Sequence, residues 1–428
     1  MNIPIAVAGI LLLVMMALGI PMSISLLASG ALAVVSSIGA GTDAVLQQLV
    51  YGLNSYVLLA VPLFILSGSL AANGETSTRL VNVMRLLLGR IPGGLGIATI
   101  FACAFFAAIS GTTFATIVAI GTIMYPCLVE AGYDKKIALG MITAGGTLGI
   151  LIPPSVPMVT LSVVMGASVS RQFMAGFVPG IGLALLWCIY VMFYSKHHEI
   201  KLEPKRTRQE KIKILVDGIP AILFPVIVLG GIYSGLTTPT EAAVISIVYV
   251  LVLEKFVFKS LDFRKLPGLA GNAVVTSGSL MFMIGCARII TWAVTVQKLP
   301  MMFADFINAA IPNQILFYVV LVVFLIICGC FLDVTPIVMI VGPILANTLM
   351  SFNVDFAQFG VICVLCCQIG NLTPPFGPCL FLSTNTFKRP FSEVVQGSIP
   401  FLIALVIFTF LCAFIPEISI FLPDMVGL

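Results

Sequence analysis

Two stretches of this chain decide its fold: Gly145-Gly146-Thr147-Leu148-Gly149-Ile150-Leu151-Ile152-Pro153-Pro154-Ser155 and Gly370-Asn371-Leu372-Thr373-Pro374-Pro375-Phe376-Gly377. Each places glycines, hydroxyls and a Pro-Pro pair inside an otherwise apolar segment of membrane length. The Pro pairs are 374 − 153 = 221 residues apart, about half of the 428-residue chain. A helix broken at bilayer depth is tolerated only where protein buries it or where it lines a cavity. Such a matched pair of breaks is typical of the binding site of a secondary transporter.

The composition predicts an all-α polytopic membrane protein. The chain is 60% hydrophobic and 9% charged, with a mean hydropathy of +1.17, whereas soluble proteins carry about 25% charged residues. The first apolar run follows Met1-Asn2-Ile3-Pro4 without a basic region, which favours a retained first span over a cleaved signal. The net charge is +4, and the basic residues lie in short loops, so no nucleic-acid partner is expected.

The polar segment 196–216 lies near the midpoint and is rich in lysine and arginine. An excess of these residues in short loops marks the cytoplasmic side of a membrane protein. We therefore expect a cytoplasmic linker between two halves, 1–195 and 217–428.

Basic residues flank the apolar segment of the first half on both sides, with Arg85 and Arg90 before it and Lys135 and Lys136 after it. A segment that enters and leaves on one face must be a re-entrant hairpin, whose tip is predicted at Ser110-Gly111-Thr112-Thr113. The predicted order is scaffold helices 1–75, an amphipathic interfacial arm 76–91, hairpin 92–130, broken helix 135–168 and span 172–195.

The second half repeats this order from the opposite side. No basic residue flanks the segment 315–350, so a hairpin entering from outside is expected, interrupted between Gly329 and Pro336. The predicted elements are scaffold helices 217–254, span 268–297, hairpin 315–350, broken helix 357–386 and final span 397–421, with both chain termini periplasmic. The two halves then form an inverted repeat, as in many secondary transporters.

The ends of half-helices expose unpaired N–H groups and carbonyls. Carbonyls and hydroxyls suit a small cation such as sodium, and N–H groups suit a substrate carboxylate. The predicted first sodium site comprises Ser110, Gly111, Thr112, Thr113, Gly145, Gly146, Thr147 and Pro154, and the second comprises Gly329, Asp333, Thr335, Gly370, Asn371 and Thr373. Any one break taken alone is better explained as a kink in packed helices, but four in a symmetric arrangement favour ion sites.

Two isolated charges lie in apolar surroundings. Asp333 is the only carboxylate in a stretch of roughly forty residues and needs a cation or a water-filled cavity. Arg288 pairs with a substrate carboxylate or an internal acid, or else it snorkels to an interface. The predicted substrate-contacting residues are Ser110, Thr112, Ser155, Asp333, Pro374 and Arg288.

The residues that transition-metal binding, ATP binding or enzymatic catalysis would need are not found in the sequence. Cys363, Cys366 and Cys367 are best explained as small residues of a buried helix, because no histidine or second cysteine pair completes a transition-metal site. No Gly-Lys-Ser/Thr phosphate loop is present, so no ATP is expected. The sequence shows no convergent set of acid and base residues, so an enzyme is not expected. The run from Gly235 to Ala243, with Thr238 and Glu241, marks a helix start.

Several motifs in order resemble the large membrane subunit of tripartite ATP-independent periplasmic (TRAP) transporters. They are Pro62–Gly68, Ser110–Ala115, Gly149–Ser155, Leu236–Ala243 and Thr373–Gly377, and the resemblance covers essentially the whole chain. The family often has serines where this chain has Thr112 and Thr113, but a hydroxyl is kept.

The resemblance implies a bacterial inner-membrane protein. It implies two partners, a small membrane subunit (here a separate chain) and a periplasmic substrate-binding protein. It further implies sodium-driven uptake of an organic acid, such as a C4-dicarboxylate, sialic acid or another sugar acid, by an elevator motion of the hairpins and broken helices.

Two alternatives remain open from the residues. A stand-alone sodium-coupled carboxylate or anion transporter of similar architecture would need no binding protein. A channel or a membrane-embedded enzyme would need a symmetric pore ring or a convergent acid–base set, and the sequence shows neither.

Overall fold

The computed structural model describes residues 3–198, 200–374 and 377–427. Within these ranges the chain is helical, without strands, and eight helices are long and apolar enough to cross a membrane. The prediction of an all-α polytopic membrane protein is confirmed. Glu199 of the linker, Pro375 and Phe376 of the second break, and the predicted periplasmic terminal residues Met1, Asn2 and Leu428 lie outside the described residues.

The first half contains ten α-helices between Ile3 and His197. They are α1 (Ile3–Ala17), α2 (Met22–Ala33), α3 (Thr42–Leu53), α4 (Ala60–Asn73), α5 (Thr76–Leu88), α6 (Gly94–Ser110), α7 (Thr113–Glu130), α8 (Lys135–Thr147), α9 (Val156–Met165) and α10 (Val169–His197). A π-helical turn, Val34–Ile38, extends α2, and a 3-10 turn, Tyr56–Leu59, precedes α4.

The described part of the second half contains another ten α-helices. They are α11 (Arg208–Tyr233), α12 (Pro239–Val252), α13 (Leu266–Val296), α14 (Leu299–Ala310), α15 (Gln314–Phe331), α16 (Val334–Ser351), α17 (Phe356–Asn371), α18 (Pro378–Phe387), α19 (Phe391–Phe414) and α20 (Glu417–Val426). A π-helical turn, Leu253–Val257, extends α12. At its start Thr238 and Glu241 form a capping box, as their types and positions predict.

A constant shift of 221 residues relates the two halves. Adding 221 to the bounds of α7, Thr113–Glu130, gives 334 and 351, which are the bounds of α16. The same shift carries α6 onto α15, α5 onto α14 and the first π-helical turn onto the second, within two residues at each end. The separation of the two Pro pairs is therefore the register of the whole repeat.

Close backbone contacts lock helices of the two halves together. α8 of the first half packs on α19 of the second. A Cβ on Gly397 would lie 1.8 Å from the carbonyl oxygen of Lys136, and one on Gly140 would lie 1.9 Å from that of Gly397. Small residues allow this approach, which is the usual basis of helix association in lipid.

The linker is docked on the first half. The N–H of Lys201 donates to the carbonyl of Ala131 at 3.0 Å, and that of Glu203 donates to the carbonyl of Gly89 at 3.0 Å. The guanidinium of Arg85 pairs with the Glu203 carboxylate at 2.6 Å. These contacts join the end of α5 and the base of α7 to the same short segment.

Two amphipathic helices, α5 and α14, lie at equivalent positions in the repeat, and each is fixed to a π-helical turn of the other half. The buried Glu254 carboxylate accepts hydrogen bonds from the N–H groups of Glu75 and Thr76, both at 2.9 Å. Just before α14, the amide of Gln297 donates to the carbonyl of Ser37 at 2.7 Å. We call α5 and α14 the arm helices.

Two sequence predictions need correction. The predicted final span 397–421 is displaced, because α19 begins at Phe391 and ends at Phe414, and the chain starts a separate helix, α20, after Pro416. This helix packs on α10 and carries Asp424, which pairs with Arg171 at 2.9 Å. The second arm helix, α14, was not predicted, since only the segment 76–91 was expected to be amphipathic.

Replacing Glu254 with alanine should destabilise the protein. The change leaves buried N–H groups at the start of α5 without an acceptor, at a cost of about 1–3 kcal/mol for each unsatisfied group. We expect a clearly lower Tm in detergent and faster proteolysis near Gly74. Glu417→Ala removes an exposed carboxylate and serves as the control. Equal Tm values for the two variants would contradict this role of Glu254.

Candidate functional site

The tip of the first hairpin is the two-residue connection between α6 and α7. α6 ends at Ser110, Gly111 adopts φ +62°, and Thr112 is the extended N-cap of α7. A left-handed residue directly after a helix is normally glycine, because only glycine adopts it without steric cost. The tip is therefore a sharp reversal that leaves the end of one helix beside the start of the next.

Oxygen atoms converge at this tip. The carbonyl of Thr112 accepts hydrogen bonds from the hydroxyls of Thr116 at 2.9 Å and Ser110 at 3.3 Å, and these two hydroxyls lie 3.0 Å apart. The buried hydroxyl of Thr113 has no hydrogen-bond partner in the part of the chain that the structure describes. Thr116 was not predicted, although it lies one helical turn after Thr112.

The first break faces this tip. α8 ends at Thr147, a 3-10 turn covers Leu148–Ile150, and α9 begins at Val156. A Cβ on Gly149 would lie 2.4 Å from the carbonyl oxygen of Thr112, and one on Gly111 would lie 2.8 Å from that of Pro154. The backbone of the tip and that of the break are thus in direct contact. Gly145 and Gly146, predicted to lie in the break, are instead helical residues of α8.

The tip of the second hairpin is shorter than predicted. α15 continues through Gly329 to Phe331, and α16 begins at Val334, so only Leu332 and Asp333 interrupt the helices. Thr335 is helical, as is Pro336, whose missing N–H would have no intrahelical acceptor in the first turn.

Asp333 is the N-cap of α16. Its carboxylate accepts a hydrogen bond from the N–H of Val334 at 2.8 Å. The residue as a whole is exposed at the surface of the described chain. None of the ion pairs between described residues includes it. A carboxylate in this setting is free to bind a cation.

The second break packs on the second hairpin through glycine. A Cβ on Gly370 would lie 2.0 Å from the carbonyl oxygen of Gly329. Gly370 and Asn371 are the last residues of α17, so the break proper begins at Leu372. Asn371 is buried, and the hydroxyl of Thr373 turns back to the carbonyl of Ile369 at 2.6 Å. The structure thus places Gly329 against Gly370, the residue that precedes Asn371.

A direct contact joins the two breaks. The amide nitrogen of Gln368 donates to the carbonyl of Thr147 at 2.9 Å, and the two residues are 221 positions apart. Residues that occupy equivalent positions in a repeat contact each other only near the axis that relates the repeats. The side-chain oxygen of Gln368 is buried and has no hydrogen-bond partner among the described residues. Gln368 lies in an apolar run whose sequence contains no motif that predicts this contact.

Arg288 belongs to a different cavity. It lies on α13 and lines a space of about 250 Å³ with residues of α3, α9 and α16, among them Gly52, Val163 and Met339. No residue of either hairpin tip lines this cavity. The structure therefore does not bring Arg288 together with the other predicted substrate residues.

The two tips and breaks together present backbone carbonyls, hydroxyls, an amide and one carboxylate. Unwound backbone carbonyls and helix C-termini in secondary transporters coordinate small cations, and helix N-termini point at anionic groups. The donor set is all oxygen, with buried oxygens of Thr113 and Gln368 lacking partners among the described residues. Such a set suits a hard cation.

The chain matches a family model for the tripartite ATP-independent periplasmic transporter, DctM component, over residues 10–418. It is 33% identical to the ectoine/5-hydroxyectoine TRAP transporter large permease protein UehC of Ruegeria pomeroyi, over 97% of each chain. It is 32% identical to the 2,3-diketo-L-gulonate TRAP transporter large permease protein YiaN of Escherichia coli, over 94% of this chain and 95% of the relative. It is also 33% identical to the C4-dicarboxylate TRAP transporter large permease protein DctM of Pseudomonas aeruginosa, over 87% of each.

Two solved structures share the fold. The YdaH transporter of Alcanivorax borkumensis superposes with a TM-score of 0.63 at 12% identity, covering 89% of each chain. MtrF of Neisseria gonorrhoeae, described as an antimetabolite efflux pump, superposes with a TM-score of 0.58 at 13% identity, covering 89% of this chain and 85% of MtrF. At such identity the likeness concerns the fold alone.

Replacing Gly370 with alanine should disrupt the second site. The new methyl group would meet the Gly329 carbonyl, which is backbone and can move only if α15 and α17 separate. Overpacking of this kind costs about 1–3 kcal/mol. We expect a lower Tm, measured by thermal unfolding in detergent. Gly278→Ala is the matched control, because nothing lies within 4 Å of its Cβ position. A Gly370→Ala variant as stable as Gly278→Ala would refute the contact.

Proposed function

The chain belongs to the DctM family of large permeases of tripartite ATP-independent periplasmic transporters, and we propose that it imports an organic acid by using a sodium gradient. It is a multi-pass membrane transport protein and not an enzyme. The observation that carries the proposal is the direct backbone contact of the first hairpin tip with the first break, where oxygens converge.

Sodium is proposed to bind at the two tips. The first site uses the oxygens around Thr112, with Ser110, Thr113 and Thr116 supplying hydroxyls. The second uses the Asp333 carboxylate, at the tip of the hairpin whose Gly329 contacts Gly370 of α17. The clustering of the tip oxygens supports the first site, because the lone pairs of the carbonyl and hydroxyl oxygens can coordinate a sodium ion. The Asp333 carboxylate, which has no ion-pair partner among the described residues, supports the second.

The substrate is proposed to carry a carboxylate. Four helices, α7, α9, α16 and α18, begin at a tip or a break, and their first N–H groups have no intrahelical acceptor. Thr112, Ser155 and Asp333 are the N-caps of α7, α9 and α16, while Ser110 ends α6 beside the first tip and Pro374 lies in the second break. The relatives are named for an ectoine, a diketo sugar acid and a C4-dicarboxylate at nearly equal identity. A C4-dicarboxylate, sialic acid or another sugar acid remains the proposed class.

Transport is proposed to proceed by an elevator motion. The hairpins and broken helices would move as one body, because α8 packs on α19 and Gln368 joins the two breaks. The arm helices, fixed to the scaffold by Glu254 and Gln297, would support the hairpins during the movement.

Two partner chains complete the proposed system. A small membrane subunit would pack beside the scaffold, and a periplasmic binding protein would deliver the substrate. We place the protein in the bacterial inner membrane with the linker on the cytoplasmic side, as its positive charge favours.

Uptake into proteoliposomes tests the proposal. Vesicles would contain this chain and its small subunit, with an inward sodium gradient, and the binding protein would be present or absent. Accumulation that needs both sodium and the binding protein is the expected result. Uptake without the binding protein would show that the chain is a stand-alone sodium-coupled carrier. Uptake without sodium would contradict the two proposed sodium sites.

Substitutions at the tips should separate the ion sites from stability. Thr113→Val removes the buried hydroxyl that has no hydrogen-bond partner among the described residues, and Asp333→Asn removes the charge at the N-cap of α16. We expect each to reduce sodium-driven uptake at least tenfold, while Thr113→Ser retains most of it. Rates come from the same vesicles, and Tm in detergent checks that the variants are folded. Wild-type rates in both variants would exclude these residues from coupling.

A further inference from the structure

Arg288 and Asp333 are two charges in membrane-spanning surroundings, and no ion pair between described residues includes either. An ionised side chain within a bilayer normally has a charged partner or faces water. Arg288 lies on the scaffold helix α13, whereas Asp333 lies on the second hairpin. The structure holds them apart, since the cavity around Arg288 includes no tip residue.

The repeat register shows which positions they occupy. A shift of 221 residues places Arg288 at the position of Ser67 in the first half and Asp333 at the position of Thr112. In the first half these positions lie near each other. The Cβ position of Gly68, the residue after Ser67, is 2.7 Å from the Cα of Ser110, so α4 runs directly against the tip of the first hairpin.

The second hairpin lies at a different height on its scaffold helix. α13 meets α16 at Met339, where the hydroxyl of Thr291 lies 3.4 Å from the Met339 carbonyl oxygen. Arg288 and Met339 line the same cavity. Met339 is six residues beyond Asp333 in α16, which corresponds to about 9 Å along a helix. The Asp333 tip is displaced by about this distance from the level of Arg288.

The burial of equivalent residues shows the same displacement. At the tips, Ser110 is 1% exposed and its equivalent Phe331 is 66% exposed. Two turns further along, the order is reversed, with Val118 40% exposed and its equivalent Met339 1% exposed. The scaffold helix α4 therefore covers the tip of the first hairpin, whereas α13 covers the second hairpin beyond its tip, near Met339. The two halves adopt two different arrangements of one contact.

We propose that Arg288 and Asp333 form an ion pair in the other end state of the transport cycle. In that state the halves exchange arrangements, so α13 meets the second tip as α4 meets the first tip here. The guanidinium then stands beside the carboxylate and competes with sodium for it. The empty site keeps its carboxylate compensated after sodium leaves. This inference rests on the proposed movement of the hairpins, and it gives Arg288 an internal partner instead of the substrate.

Cysteine cross-linking tests the proximity. All eleven native cysteines are free and would be replaced, and the chain would be studied with its small subunit and binding protein in vesicles. Arg288→Cys with Leu332→Cys reports the proposed state, and Thr291→Cys with Met339→Cys reports the state seen here. We expect mercuric ion to cross-link both pairs, and either cross-link to stop uptake. If the second pair cross-links in an uptake-competent preparation and the first never does, the proposal is wrong.

Sodium dependence tests the ion pair itself. Arg288→Gln removes the competing cation, so the external sodium concentration for half-maximal uptake should fall several-fold, and Arg288→Lys should restore it towards the wild-type value. An unchanged sodium curve with a raised half-saturating substrate concentration would show instead that Arg288 binds substrate. Absence of uptake in the wild-type chain with both partners would defeat the proposed function itself, whatever the cross-links show.

Discussion

The backbone contact between each hairpin and its neighbouring broken helix is the interaction on which the rest of the site depends. Gly149 meets the carbonyl of Thr112, and Gly370 meets that of Gly329, at separations that leave no room for a side chain. Lipid cannot satisfy the carbonyls and N–H groups that such interruptions expose. The first contact holds these groups of the tip and the break inside protein, whereas the second packs α15 and α17 closely just before their interruptions. A methyl group at Gly149 would force the tip and the break apart. The absence of a side chain there is thus what allows the oxygens around Thr112 to lie beside the break.

Much of this could be predicted because the constraints are local. A glycine and hydroxyls between two apolar runs, with basic residues on both flanks, predict a hairpin over 92–130, and α6 and α7 lie there. The features that escaped prediction depend on distant partners. Gln368 matters through a carbonyl 221 residues away. The second arm helix directly follows the long α13, and it is set off only by Lys298 in a left-handed conformation. The turn into α20 is likewise fixed by packing on α10.

The halves share a register but not their polar groups. Thr112 corresponds to Asp333, Thr147 to Gln368, and Ser67 to Arg288. Backbone geometry that recurs at a shift of 221 residues therefore carries a neutral site in one half and a charged one in the other. Transporters with only 12% or 13% identity keep the fold. Function resides in the side chains placed on that fold. The polar residues that differ between the two halves are therefore more informative about ion and substrate binding than the backbone that the halves share.

The fixing of each arm helix by the opposite half has a consequence for biosynthesis. The start of α5 is capped by Glu254, which lies 178 residues after Thr76. The start of α14 is held by the carbonyl of Ser37, 260 residues before Gln297. While the ribosome is still making the first half, the N–H groups at the start of α5 therefore lack this acceptor. They gain it only after the π-helical turn that follows α12 has been made. Each half carries a copy of the repeat, yet each arm helix takes a hydrogen-bond partner from the other half.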